Sequence, residues 1–295
     1  MKRQLSWKKK AIAGLSAALL LGMSGFPAMA GKKVQIASAE LKNVASAAVR
    51  AAGIAGTIET GVNGTSDAVK DENAAPKQQE REVADSEIDS FFADSVLVGD
   101  SVMMGYRNYC MRSQEPFLKS LKFLASGSFS VHNALWPVND ESVHPLYQGA
   151  QRPVWESISL MQAKKVFMFF GLNDLNMGND TIPCYQQVIG NIKQLSPDAQ
   201  IHIISMTYTL KGKGKGKLNN DNIRAFNSQL RQLAADNGYG FIDMATALAD
   251  TNGDLAVEYC SDNYVHQSRA AYQVWTNVLR QYAKDCLKYT PAPEA

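Results

Sequence analysis

Lys165-Val-Phe-Met-Phe-Phe-Gly-Leu-Asn-Asp174 is the stretch that decides the fold. After the lysine, five consecutive side chains are apolar, the pattern of a strand covered on both faces rather than on one. Gly171-Leu-Asn-Asp174 then supplies turn chemistry. Runs of the same kind lie at 95–98, 121–125, 201–206 and 239–242. Helical patterns separate them. Ile223, Phe226, Leu230 and Leu233 fall at three- and four-residue steps within 218–237, and Asn237-Gly238 closes that helix. Ala271, Trp275, Val278 and Tyr282 repeat the pattern within 268–289. Strands alternating with helices predict an α/β three-layer sandwich around a five-stranded parallel sheet. Ligands bind such sheets beyond the carboxyl ends of the strands, so the residues that follow each strand are the candidates for function.

Four of those positions carry chemistry. Gly99-Asp100-Ser101 follows the first strand and opens a helix, where a serine hydroxyl and its backbone N–H share one cleft. Read alone, it is an ordinary helix cap. Ser126-Gly127-Ser128 follows the second strand, and Gly127 offers a bare N–H or merely a turn. Asn173 follows the third, with a side-chain amide or, again, turn chemistry. Ser261-Asp262-Asn263-Tyr264-Val265-His266 precedes the last helix and joins an imidazole to a nearby carboxylate, unless the histidine is simply solvated. Together they supply a nucleophile, a base and oxyanion donors, the set an acyl-transfer site needs.

At these residues the chain resembles the SGNH (GDSL-type) hydrolases. Gly99-Asp100-Ser101-Val102 is similar to the family's first block, with valine in place of leucine, and Gly171-Leu172-Asn173-Asp174 to its Gly-x-Asn-Asp block. The resemblance implies a flavodoxin-like SGNH fold, Ser101 as nucleophile and His266 as base. It also implies an oxyanion hole from the N–H groups of Ser101 and Gly127 and the amide of Asn173. The family places Asp three residues before the histidine; here Asn263 stands there and Asp262 lies one residue earlier. Asp262 as the orienting carboxylate is the favoured reading, and a Ser–His dyad the other. The implied activity is a serine esterase removing a small acyl group, acetyl, from a carbohydrate or cell-envelope glycan, with no cofactor and no metal. An acyltransferase on the same fold, or a glycan- or wall-binding module of weak activity, are the alternatives.

Outside the catalytic region, expected at 87–290, the chain divides into three parts. Residues 1–30 hold five cations and no acid, a short apolar run and Ala28-Met29-Ala30, the pattern of a cleaved signal peptide. The expected location is therefore exported, extracellular or associated with a bacterial cell envelope, with no stable membrane anchor after cleavage. Residues 31–86 have no aromatic side chain and read as a disordered spacer; 291–295 is a tail. The full chain of 295 residues carries +2, but without its first thirty residues it carries −3, which gives no electrostatic case for nucleic acid.

Four cysteines, Cys110, Cys184, Cys260 and Cys286, permit two disulfides or four thiols. Lys211-Gly-Lys-Gly-Lys-Gly-Lys217 reads as a solvated flexible loop or, less simply, as a lure for an anionic polymer. His202 reads as structural. Residues 128–151, with His132 and His144, read equally as a substrate wall or a packed loop. Asp250-Thr-Asn-Gly-Asp254 reads as a turn rather than a calcium loop.

Overall fold

The computed structural model describes residues 80–289. The expected signal peptide, most of the spacer and the tail lie outside the described residues. Five strands form one parallel sheet: β1 (Ser95–Gly99), β2 (Phe123–Ala125), β5 (Lys165–Phe169), β6 (Gln200–Ile204) and β7 (Gly240–Ile242), in the order β2-β1-β5-β6-β7. Taken in chain order, these are strands 2-1-3-4-5, the flavodoxin-like arrangement. Every residue of β1 is buried, as an apolar run without alternation requires. A two-stranded antiparallel ribbon, β3 (Leu146–Tyr147) with β4 (Ala150–Gln151), stands apart from the sheet.

Helices cover both faces. The β1-to-β2 crossover runs through α2 (Ser101–Arg112) and α3 (Pro116–Ser120). The return past β1 runs through α4 (Val131–Ala134) and α5 (Val154–Leu160), followed by α6 (Thr181–Leu195) and α7 (Asn220–Asn237). Right-handed crossovers put the first connection on one face and the later ones on the other, because the chain reverses direction across the sheet. The short α8 (Met244–Ala247) follows β7. On the α2 side lie also α1 (Asp85–Ala93) and α9 (Arg269–Leu287): Phe92 stacks on Phe167, and Trp275 meets Phe169 edge-on. Buried His202 stacks on Phe167 and bonds the Tyr282 hydroxyl through Nδ1 at 2.8 Å, a structural role. Burial pushes its pKa down to about 3, so it stays neutral.

The ordered fold reaches back past the expected start at 87. The helix α1 begins at Asp85, Ala84 N–H donates to Glu87 Oε2, and Val83 is buried in the core. Helix α7 ends at Gly238, whose φ of +67° is the left-handed conformation glycine adopts without penalty. The helices α2 and α9 are latched together. The Tyr272 hydroxyl donates to the Val102 carbonyl at 3.1 Å, and Tyr106 shares a hydrogen bond with Thr276. A Cβ at Gly105 would collide with the Tyr272 hydroxyl, so the glycine forms the notch that receives it.

All four cysteines are free thiols. Asp250 closes a tight turn by accepting the N–H groups of Asn252 and Asp254. The lysine loop is fastened rather than freely solvated: Lys217 Nζ donates to Asn179, Asn176 bonds the loop backbone, and the Lys215 ammonium lies 4.2 Å from the Tyr264 ring centroid.

Candidate active site

The carboxyl ends of β2, β1 and β5 are in register, Gly99 pairing with Ala125 on one side and Phe169 on the other. Ser101, Gly127 and Asn173 therefore leave three adjacent strands on one rim. That rim includes the β1/β5 gap where the crossover direction reverses, the place this topology opens a crevice. Gly99 is required for the approach. A Cβ there would stand 2.7 Å from the Phe169 carbonyl oxygen and 2.8 Å from Met103 Cβ. Gly171 has φ +129°, and a Cβ on it would press into Met206 and Phe226.

Ser101 Oγ lies 3.0 Å from His266 Nε2, and His266 Nδ1 lies 2.6 Å from Asp262 Oδ2. A carboxylate only accepts, so Nδ1 carries the proton and Nε2 is left to accept from the serine hydroxyl. The one-residue displacement of the aspartate is absorbed at Asn263, which takes φ +58°. Asparagine tolerates this left-handed turn better than most residues. The turn brings the N–H groups of Tyr264, Val265 and His266 onto Asp262 Oδ1 at 2.9, 2.9 and 3.1 Å, leaving Oδ2 for the ring. Partial burial opposes ionisation of Asp262, but the His266 bond and these backbone donors outweigh it and hold its pKa at about 2. The histidine and aspartate side chains are 46% and 33% exposed, so the relay lies open to solvent.

Among the described residues, no acceptor takes the backbone N–H of Ser101 or Gly127. Asn173 Nδ2 donates one hydrogen to the Phe129 carbonyl at 3.2 Å, which fixes the amide and leaves its second hydrogen unused. A Cβ at Gly127 would meet Met104 Cε at 4.0 Å, ordinary van der Waals contact, so close packing does not require glycine there.

Beneath the rim sit two buried carboxylates. Asp100 Oδ1 caps α2 by accepting the Val102 N–H at 2.8 Å, while Oδ2 has no partner among the described residues. Burial pushes the Asp100 pKa up to about 7 against the pull of the Val102 N–H, and the Asp174 charge adds to the rise. A carboxyl with a raised folded-state pKa holds its proton when the unfolded chain has lost it, so stability falls as pH rises from about 4 to 7. Asp100→Asn keeps the cap and removes that charge. The variant is expected to have a higher Tm than wild type at pH 8 and an equal one at pH 4; equal Tm values at both would show that the buried carboxylate carries no penalty.

The sequence marks Asp174 as a turn residue and as the last position of the Gly-x-Asn-Asp block, but not its partners. It accepts the Gly171 N–H through Oδ2 and meets His132 Nδ1 at 2.7 Å through Oδ1. Forty-two positions separate His132 from Asp174, and no local pattern announces the contact. His144 is buried and bonds the Trp136 carbonyl through Nε2, a packed-loop role.

The GDSL-like lipase/acylhydrolase family matches the chain over residues 97–274, more than half its length. The chain belongs to this family. It is an ester-hydrolysing serine hydrolase on the SGNH fold. No curated protein sequence matches it. A solved structure described as a putative platelet activating factor from Streptococcus pneumonia is similar, with TM-score 0.49, 18% identity, and coverage of 67% of this chain and 92% of that one. A putative acylhydrolase from Bacteroides fragilis gives TM-score 0.47, 15% identity and 65% and 87% coverage. Axe2, an acetylxylan esterase from Geobacillus stearothermophilus, gives TM-score 0.44, 12% identity and 68% and 96% coverage.

Proposed function

We propose that this GDSL-family hydrolase works outside the cytoplasm and removes a small acyl group, acetyl, from a carbohydrate or cell-envelope glycan by acyl-enzyme chemistry. The observation that carries the reading is the Ser101–His266–Asp262 hydrogen-bonded chain at an open surface. Its polarity is that of a general-base relay: Asp262 holds the Nδ1 proton, and Nε2 faces the hydroxyl. His266 takes the Ser101 proton as Oγ attacks the ester carbonyl carbon. The oxyanion is received by the N–H groups of Ser101 and Gly127 and the free amide hydrogen of Asn173. The intermediate collapses, His266 returns the proton to the departing sugar oxygen, and the acyl group stays on Ser101. Water then attacks while His266 takes its proton, releasing the carboxylic acid and restoring the serine.

Exposure of the relay supports a bulky alcohol with a small acyl group, since a long acyl chain would need apolar surface to bury it. The signal-like sequence at 1–30 and the aromatic-free stretch that follows agree with action at a distance from the membrane. The test is turnover of chromogenic acetate, butyrate and octanoate esters by the full chain, together with acetate release from O-acetylated glycan. Rates should fall steeply with acyl length, and acetate should appear from the glycan. A preference for octanoate, or no release from glycan, overturns the substrate class.

A further inference from the structure

A second cluster of chemistry-bearing side chains lies outside the relay, beyond Asp174 and His132. His132, on α4, turns its Nε2 to Asp180 Oδ1 at 3.1 Å. Cys184, one turn along from Asp180 on α6, places Sγ 3.9 Å from Asp180 Oδ2. One nitrogen, one carboxylate oxygen and one sulfur from these residues all lie within 4.8 Å of one another. We propose that His132, Asp180 and Cys184 bind a divalent cation of borderline softness, Zn2+, at a site separate from the catalytic relay.

Three features carry this. The first is spacing. Around tetrahedral Zn2+, bond lengths of about 2.0–2.3 Å put neighbouring nitrogen, oxygen and sulfur ligands about 3.3–3.6 Å apart. Asp180 turns Oδ1 to His132 Nε2 at 3.1 Å and Oδ2 to Cys184 Sγ at 3.9 Å, and one of its oxygens, Nε2 and Sγ all lie within 4.8 Å of one another, so the three close on a cation with side-chain movement alone. The second is orientation. His132 Nδ1 is held at 2.7 Å by Asp174, whose side chain is fully buried, so Nε2 is aimed outward at the other ligands. A carboxylate behind a ligating histidine is the arrangement that fixes ring direction and raises ligand basicity at zinc sites. The third is charge. Without metal, both ring nitrogens face carboxylates and the ring sits between two anions. The cation takes the place of the Nε2 proton and of the thiol proton, both of which go to solvent. With the Asp180 carboxylate and the Cys184 thiolate, the metal and its three ligands are then neutral overall. The Asp180 side chain is 66% exposed, which leaves the fourth position open to water.

The cation would tie α4 to the start of α6, and Asp174 joins this tie to Gly171 at the base of the segment that carries Asn173. The test is Co2+ titration into the chelator-treated full chain, followed by absorption. One Co2+ per chain is expected, with a thiolate-to-metal charge-transfer band that Zn2+ abolishes by displacement. Cys184→Ser should lose the band, whereas Cys260→Ser and Ser101→Ala should keep it. A band that survives Cys184→Ser, or no saturable uptake by wild type, overturns the proposal. As a second readout, Zn2+ should raise the Tm of wild type and leave that of His132→Gln unchanged. An equal rise in both counts against the site.

Discussion

Ser101→Ala is expected to lower kcat on an acetate ester by about 10⁴–10⁶ while leaving the fold intact. The loss follows from the position of Oγ: its hydrogen-bond partner is His266 Nε2, so its removal leaves a base with nothing to activate for attack. The fold should not notice, because Asp100 rather than Ser101 caps α2, and alanine suits the first turn of a helix. The backbone N–H of residue 101 remains, so oxyanion stabilisation and substrate binding persist as a small residual rate. Single-turnover kinetics with a chromogenic acetate, alongside thermal unfolding, checks both halves. A rate within tenfold of wild type removes Ser101 from the chemistry.

Asp262→Asn should cost about 10³–10⁴ in kcat. Asparagine can still accept the three backbone N–H groups through its oxygen, so the turn survives. The atom facing His266 Nδ1 becomes an NH2, which donates. The ring must then accept at Nδ1 and carry its proton on Nε2, where it can no longer take one from serine. A loss under tenfold would make the site a Ser–His dyad. The same variant has an acid signature. The pKa of Asp262 is lowered to about 2, below its unfolded value near 4. Its stabilising contribution is complete above the unfolded value and fades as pH falls toward 2. Between pH 4 and 2, wild type should therefore lose more stability than Asp262→Asn.

The sheet was legible because its strands are buried on both faces, and a run such as 165–170 has no soluble alternative to that burial. The site was legible for a related reason: a parallel sheet gathers the ends of its strands, so Ser101, Gly127 and Asn173, distant in sequence, had to share a rim. Asp262 could be named, but its geometry could not, because it depends on Asn263 entering the left-handed region. Other features lacked any local signal. The β3–β4 ribbon has two-residue strands, and it turns through Gln148 and Gly149 at φ +50° and +75°, where asparagine would have been the usual mark of such a turn. The first helix starts at Asp85 without a typical capping residue, because Glu87 reaches back to the Ala84 N–H and closes that end instead. The His132–Asp174 contact joins two segments with no shared periodicity.

The notch at Gly105 has a consequence for how such an enzyme changes over evolutionary time. Nucleophile and base are mounted on two rods bolted side by side, one beginning at Ser101 and the other at Arg269, three residues after His266. Their separation is set by the joint between the rods rather than by the excursion at 135–153; the residues just before it are tied to the site, since the Phe129 carbonyl holds the Asn173 amide. That excursion can be rewritten to admit new leaving groups while the reacting atoms keep their alignment, so specificity and reactivity are inherited separately.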